Sequence, residues 1–185
     1  MTDPDPSAAA RLPGAAADSV ILVRHAMPVV DLSVPPHEWV LQGPVVPLGL
    51  PVDAYLVAST EPKALGTVAP FGPVVTDPRF GEITRPASGS SEDWRELRLA
   101  YVEGADHSGW EPRSAVVGRF DSGINDHWVR AAGRPLVVAS HGMAMTLWLT
   151  ARIGLDAPGA FWSSLRLPDV LAVDLVARNV ARLSP

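Results

Sequence analysis

The stretch SVILVRH, residues 19–25, is the part of the sequence that decides the fold. Its unbroken run of apolar, largely β-branched side chains is typical of a strand buried on both faces of a parallel sheet. Three further runs have the same character: AYLVAS at 54–59, PVVTD at 73–77 and PLVVAS at 135–140. These runs predict a sheet whose central strands contact solvent on neither face.

Helices are predicted between these strands, from apolar side chains at helical spacing or from a capping residue at the start of the segment. We expect Thr60 to cap one of them, and the predicted helices cover 37–42, 60–70, 90–103, 111–133 and 142–154. Residues 169–184 read as a closing hairpin that turns through Ala177, Arg178 and Asn179. Strands alternating with helices predict an α/β fold, a three-layer αβα sandwich with a mostly parallel central sheet and an antiparallel edge.

The remaining segments predict one domain with long loops. Residues 1–18 mix Pro, Ala, Gly and Asp without apolar periodicity, so we expect a flexible leader before a single domain at 19–185. Residues 26–51 are rich in Pro and Gly and predict a long loop over the domain. Residues 77–109 predict an insertion that acts as a lid or pocket wall.

Composition excludes several classes of function. The chain of 185 residues carries a net charge of −5 and has no cluster of Lys and Arg interleaved with aromatic residues, which disfavours binding to nucleic acid. No apolar run reaches the length of roughly 18 residues that spans a bilayer, so we expect a cytoplasmic protein without a membrane partner. Because there is no cysteine, thiolate chemistry is excluded. An anionic ligand would have to be held by a few local cations.

Three strands end in residues that suit phosphate. Arg24 and His25 end the first strand, Lys63 follows the second, and His141 with Gly142 follows the fourth. Ligands of such sheets bind beyond the carboxyl ends of the strands, so we expect these residues to surround one anion. Phosphoryl transfer depends on positioning and on electrostatic stabilisation, and a neutral imidazole can be the nucleophile. The spacing leaves open which of the two histidines attacks.

The ordered set LVRHAMP, ASTEPKALGT, FGEI and VVASHGMAM resembles the histidine phosphatase superfamily, also called the phosphoglycerate mutase-like family, from about Val20 to Ser184. The resemblance implies that His25 becomes phosphorylated, that Arg24 and His141 hold the phosphoryl oxygens, and that Glu82 protonates the leaving oxygen. It also implies that Lys63 and Gly142 contribute to the phosphate site, and that neither a metal nor another cofactor is needed.

Several positions depart from the pattern of that family. Its glycine after the nucleophile is Ala26 here, followed by Met27, and its second pocket arginine is Lys63. Lysine keeps the charge but lacks the bidentate fork of arginine. Asp31 stands roughly where mutase relatives have an asparagine, and a carboxylate close to a phosphate dianion would be unfavourable. These departures predict a weakened or altered activity.

The other histidines and the tryptophans have simpler interpretations. No histidine pair has a metal-ligand spacing with a carboxylate, so we interpret three as structural or surface residues: His37, His107 and His127. Trp148 and Trp162 are predicted core residues, and three tryptophans in the loops are candidates to line a substrate pocket: Trp39, Trp94 and Trp110. A serine hydrolase is disfavoured because the chain has no Gly-x-Ser-x-Gly elbow.

These observations predict a phosphomonoester hydrolase that acts on a small phosphorylated metabolite through a phosphohistidine. One alternative is a catalytically impaired protein of the same fold that binds a phosphorylated ligand. A phosphoglycerate mutase is a weaker alternative, because the insertion at 77–109 is short. The sequence identifies neither the substrate nor the oligomeric state.

Overall fold

Strand β1, Ser19–Arg24, lies at the centre of the protein, and its side chains alternate between two separate apolar cores. Leu22 packs into one core, whereas Ile21 and Val23 pack into the other. A strand buried on both faces needs cover on both faces, and this explains the unbroken apolar run of the sequence. The computed structural model describes residues 19–86 and 91–183.

The described strands form one six-stranded sheet in the order β3-β2-β4-β1-β5-β6. The other strands of the sheet are β2 Tyr55–Ala58, β3 Val74–Thr76, β4 Leu136–Ser140, β5 Asp169–Asp174 and β6 Asn179–Leu183. Strands β1 to β4 pair in parallel, while β5 runs antiparallel to both β1 and β6. The predicted α/β sandwich, with its mostly parallel sheet and antiparallel edge, is confirmed.

Helices cover both faces of the sheet and create three layers. The helices are α1 Pro62–Val68, α2 Ser91–Glu103, α3 Arg113–Ala131, α4 Gly142–Ile153 and α5 Pro158–Ser164. The larger core takes apolar side chains from α2, α3 and α4, and the smaller core takes Val68 of α1 and Leu48 of the long loop. Helix α4 is capped at its C-terminus by Gly154, whose φ of 74° is the left-handed conformation that glycine adopts without strain.

Two local predictions are wrong, and one helix was missed. The helix predicted at 37–42 is wrong: only a 3₁₀ turn forms, at Pro36–Glu38, and Gln42 N and Val29 N instead pair in an extended arrangement with Met27 O and Val40 O. Thr60 does not cap α1, because the helix begins at Pro62 and its cap position is Glu61. Helix α5 was not predicted from the sequence.

The predicted leader, residues 1–18, lies outside the described residues, as do residues 87–90 of the predicted insertion. Within the described part of the chain, the hairpin turn occupies 175–178, close to its predicted position. No helix in the described ranges is both long and apolar enough to cross a membrane.

Candidate active site

The candidate site lies at the carboxyl edge of the sheet, where β1, β2 and β4 end side by side. Backbone pairing between neighbouring segments continues past the ends of the strands: His25 N donates to Ser140 O at 3.1 Å, and Ser59 N donates to Ala139 O at 2.9 Å. His141 directly follows β4 and is the cap residue of α4. The expected convergence of these strand ends is therefore what the backbone pairing produces.

The His25 imidazole has a defined tautomer. Its Nδ1 lies 2.8 Å from the carbonyl oxygen of Ala26, and because a carbonyl only accepts, Nδ1 carries the proton. Nε2 then holds the lone pair when the ring is neutral. Burial lowers the pKa of His25 to about 4, against an opposing hydrogen bond to Ala26 O. The ring is therefore neutral at physiological pH, with its Nε2 lone pair free to act as the predicted nucleophile.

His141 lies against His25, with ring centroids 5.1 Å apart. Its Nε2 is 3.0 Å from Ser59 Oγ and 3.1 Å from Glu61 Oε1. The neighbouring carboxylate favours an imidazolium, but His141 is only 1% exposed, and burial lowers its pKa well below the usual value. In the neutral ring Nε2 carries the proton, since the Glu61 carboxylate can only accept. The two histidines are close enough to contact a common phosphoryl group.

Arg24 reaches the same edge from β1. Its Nη1 donates to Leu165 O at 2.8 Å, while its buried Nε has no hydrogen-bond partner among the described residues. Gly142 allows this close approach: a Cβ at that position would lie 3.1 Å from Trp162 Nε1 and 3.3 Å from Arg24 Nε. Burial lowers the pKa of Arg24, but a guanidinium stays charged in proteins.

Glu61 is a residue of the site that sequence reasoning missed. Its carboxylate forms an ion pair with Lys63 through Oε2, and its Oε1 contacts His141 and accepts from Glu82 N at 2.9 Å. Lys63 Nζ also donates to Pro36 O at 2.6 Å. The sequence signal that could have identified Glu61 is its position between Ser59 and Lys63, where an acidic residue is unexpected in a segment predicted to bind an anion. Lys63 and His141, two predicted phosphate ligands, thus both contact a carboxylate of the protein itself.

The Glu82 carboxylate lies at the N-terminus of α4. Oε1 accepts from Ala144 N at 3.0 Å and from Ile83 N at 3.1 Å, and Oε2 is 3.4 Å from Met143 N. The free N–H groups and the dipole of a helix N-terminus favour a negative group there. Glu82 is therefore held beside the segment that begins with His141 and Gly142.

Comparison with solved structures identifies the fold. Mycobacterial glucosyl-3-phosphoglycerate phosphatase aligns with a TM-score of 0.59 at 18% identity, over 89% of this chain and 96% of that chain. An Escherichia coli protein, described as a candidate α-ribazole-5'-P phosphatase, aligns with a TM-score of 0.58 at 14% identity, over 91% of this chain and 95% of that one. The chain has the phosphoglycerate mutase-like fold. No protein-family model and no curated protein matches the sequence.

Two departures from the usual pattern of the phosphoglycerate mutase-like fold have local explanations. Among the described residues, the non-glycine residues with positive φ are Ala132 and Arg178, so Ala26 has the negative φ that alanine tolerates. Asp31 is exposed, and its Oδ1 accepts from Ser33 N at 2.8 Å and from Ser33 Oγ at 2.6 Å. These hydrogen bonds lower the pKa of Asp31. The Asp31 carboxylate is thus engaged by its own loop.

Thr67 holds the loop that carries the candidate nucleophile. Its buried hydroxyl accepts from Ala26 N at 2.8 Å and donates to Lys63 O at 2.7 Å. The backbone after His25 is thereby tied to the first turn of α1. Sequence reasoning did not single out Thr67, since only the tertiary structure brings positions 26 and 67 together.

Arg119 of α3 plays a similar part for the segment around Glu82. Its Nη1 donates to Arg79 O at 2.6 Å and to Gly81 O at 2.9 Å, and its Nε pairs with Glu111 Oε1 at 2.7 Å. One guanidinium therefore fixes the backbone on both sides of the turn that leads into Glu82. This residue also lacked a signal in the sequence.

The remaining histidines and tryptophans separate into interior and surface residues. His127 is fully buried and its Nε2 lies 2.9 Å from Asp77 Oδ2, which confirms a structural role, and His37 is exposed. Trp148 is a core residue as predicted, whereas Trp162 is only partly buried and lines a cavity beside Arg24. Within residues 19–86 and 91–183, no group of three His, Asp or Glu side chains is arranged to hold a metal ion.

Proposed function

We propose that this protein is a phosphomonoester hydrolase that acts through a phosphohistidine at His25 on a small phosphorylated metabolite, without a metal ion. The observation that carries the proposal is the pair of imidazoles 5.1 Å apart, with Nδ1 of His25 bound to Ala26 O so that Nε2 holds the lone pair. The names of the two phosphatases that share the fold support the same reaction class.

In the first step the Nε2 lone pair of His25 attacks phosphorus, and the bond from phosphorus to the ester oxygen breaks. Arg24, Lys63 and His141 stabilise the charge on the transferred group. Glu82 has to take up a proton before this step, against the N–H groups of α4 that favour its carboxylate, and it then gives that proton to the leaving oxygen. In the second step the Glu82 carboxylate takes a proton from water, the water oxygen attacks phosphorus, and the phosphorus–nitrogen bond breaks. Phosphate leaves and His25 regains its lone pair.

Glu61 sets a condition on this reaction. A phosphoryl group that contacts Lys63 and His141 has to replace the Glu61 carboxylate, which already contacts both. Two anions side by side in a buried site repel each other, so substrate binding requires Glu61 to move or to take up a proton. This contact favours the second candidate function, a protein that binds phosphorylated ligands but hydrolyses them slowly or not at all.

The test is release of phosphate from p-nitrophenyl phosphate and from a panel of phosphorylated metabolites in the presence of EDTA. We expect turnover by the native protein and by the His37→Ala control, whose histidine is exposed, and none by His25→Ala. Alkaline quenching should trap an acid-labile phosphoprotein that His25→Ala does not form. Folded protein that turns over no substrate, yet is stabilised against heat by phosphate, would support the binding function instead.

A further inference from the structure

Three arginines form a positively charged wall beside the candidate active site. This arginine wall consists of Arg85, Arg95 and Arg98. Arg95 and Arg98 lie three residues apart on α2 and therefore share one side of that helix. Among the described residues, no carboxylate forms an ion pair with any of the three. Three clustered arginines without a directly paired carboxylate are unusual for a protein whose net charge is −5.

The wall is continuous with the proposed phosphate site. A cavity of about 160 Å³ is lined by both Arg95 of the wall and Arg24 of the candidate site, together with Trp162, Ser163 and Leu165. Glu82 connects the two regions electrostatically: its negative charge opposes the lowering of the pKa of Arg24 and of Arg98 that burial causes. Because Glu82 is the proposed proton donor to the leaving oxygen, an alcohol that leaves past Glu82 would face the wall.

The guanidinium groups of Arg85 and Arg98 lie against tryptophan rings, but they keep buried N–H groups without hydrogen-bond acceptors. Arg85 Cζ lies 5.2 Å from the ring centroid of Trp94 and 5.9 Å from that of Trp110, and Arg98 Cζ lies 5.7 Å from that of Trp94. Stacking of this kind uses the face of a guanidinium and leaves the N–H groups at its edge available. The buried Nε atoms of Arg85 and Arg98 have no hydrogen-bond partner among the described residues, and neither has that of Arg24.

A purely structural role explains only part of this arrangement. Stacking on tryptophan accounts for the position of Arg85 and Arg98, but it does not account for Arg95, which is exposed at the mouth of the shared cavity. Nor does it account for buried donors without acceptors, which are rare in folded proteins. Since arginine keeps its charge and only donates, an anion is the ligand that would both accept from these N–H groups and balance their charge.

We propose that the arginine wall binds a second anionic group on the substrate, so that the preferred substrates are phosphomonoesters whose alcohol carries a carboxylate or a second phosphate. The inference rests on the proposed hydrolase function, because it assigns the wall to the leaving alcohol of that reaction. It also explains how an acidic protein selects a doubly anionic ligand: the positive charge is concentrated where the ligand binds.

The test compares substrates of equal shape and different charge. The pair 4-carboxyphenyl phosphate and 4-carbamoylphenyl phosphate differs only by a carboxylate against a neutral amide, and 1,4-phenylene bisphosphate supplies the second-phosphate arm. We expect kcat/KM for the charged substrates to exceed that for the amide by about 10-fold at low salt, and the excess to shrink as NaCl screens the wall. The charged substrate with the higher kcat/KM, the carboxylate or the bisphosphate, shows which second anionic group the wall prefers.

Variants assign the preference to the wall. Arg95→Gln should reduce the ratio of charged to neutral kcat/KM by about 5-fold, and the charge reversal Arg95→Glu should bring it to 1 or below. Arg98→Gln should act in the same direction, and Arg130→Gln, which removes an exposed arginine of α3, is the matched control that keeps the ratio.

Two results overturn the proposal while the hydrolase function stands: equal kcat/KM for the charged and neutral substrates, or a charge preference that survives in Arg95→Glu. If neither the aryl phosphates nor the metabolite panel is hydrolysed, the hydrolase function fails. Calorimetric binding of the same three aryl compounds then tests the wall. Tighter binding of the charged compounds than of the amide, lost in Arg95→Glu, supports the wall, and equal affinities refute it.

Discussion

Replacement of Glu61 by glutamine tests the most unexpected contact of the site. The Glu61→Gln change keeps the shape of the side chain and an oxygen that can accept from Glu82 N, but it removes the negative charge that faces Lys63 and His141. We expect two opposite effects. The protein without phosphate becomes less stable, and its affinity for inorganic phosphate increases.

The burial of the ion pair sets the size of the first effect. The side chains of Lys63 and Glu61 are only 7% and 12% exposed, and breaking such a pair leaves a charge buried without its partner. That loss costs about 3–5 kcal/mol, and the lower end applies here because glutamine keeps a hydrogen bond to Lys63 within reach. A loss of about 3 kcal/mol lowers Tm by roughly 6–12 °C in a protein of this size.

The second effect follows from the same charge. In Glu61→Gln, phosphate supplies the counter-charge that Lys63 lacks and no longer has to replace a carboxylate. Recovery of about 1.4 kcal/mol of the lost free energy corresponds to a 10-fold lower Kd for phosphate. The increase in Tm on addition of phosphate should therefore be larger for the variant than for the native protein.

Differential scanning calorimetry and isothermal titration with inorganic phosphate measure both effects. Glu38→Gln is the matched control, since the side chain of Glu38 is 55% exposed and it should leave both quantities unchanged. A folded Glu61→Gln protein that binds phosphate no more tightly than the native protein would refute the argument that Glu61 competes for the phosphate ligands.

Two further predictions concern the residues around the nucleophile. The folded-state pKa of His25, about 4, lies below its unfolded value of 6.5, so the unfolded chain binds more protons in this window and stability falls as the pH drops through it. Urea unfolding at pH 7 and pH 4.5 should show that His25→Gln loses about 2–3 kcal/mol less than the native protein; an equal loss in both proteins would contradict the role of His25 burial. Thr67→Val leaves Ala26 N without its acceptor, which should cost about 1–3 kcal/mol of stability and lower kcat more than it changes KM; steady-state kinetics with unaltered kcat would show that Thr67 does not position the loop.

The sheet was predictable because its signal is local. The apolar runs around Leu22, Val57 and Val138 are each buried on both faces, and such burial leaves a continuous pattern in a short segment of sequence. The failed helix at 37–42 shows the limit of that approach. Its side chains suit a helix, but backbone pairing of Gln42 with Met27 holds the segment extended, and no local pattern encodes that partner.

The residues of the candidate site also fall into those that the sequence predicted and those that it did not. Arg24, His25 and His141 were predictable because each is attached to the end of a strand, and parallel strands bring their carboxyl ends to one edge. Glu61 and Thr67 were not, because their importance comes from which side chains they meet across the fold. The direction of a side chain at a loop or at a helix start depends on packing rather than on sequence position.

The sequence by itself determined the buried strands of the sheet and the histidines at its carboxyl edge, because burial on both faces and strand ends leave a pattern in short segments of sequence. Only the tertiary structure decided what lies near those histidines: the Glu61 carboxylate, the Arg119 guanidinium that holds the segment before Glu82, and the arginine wall. The physical reason is that charge–charge contacts join segments distant in the chain, and their partners are chosen by the fold after the backbone has brought them within reach.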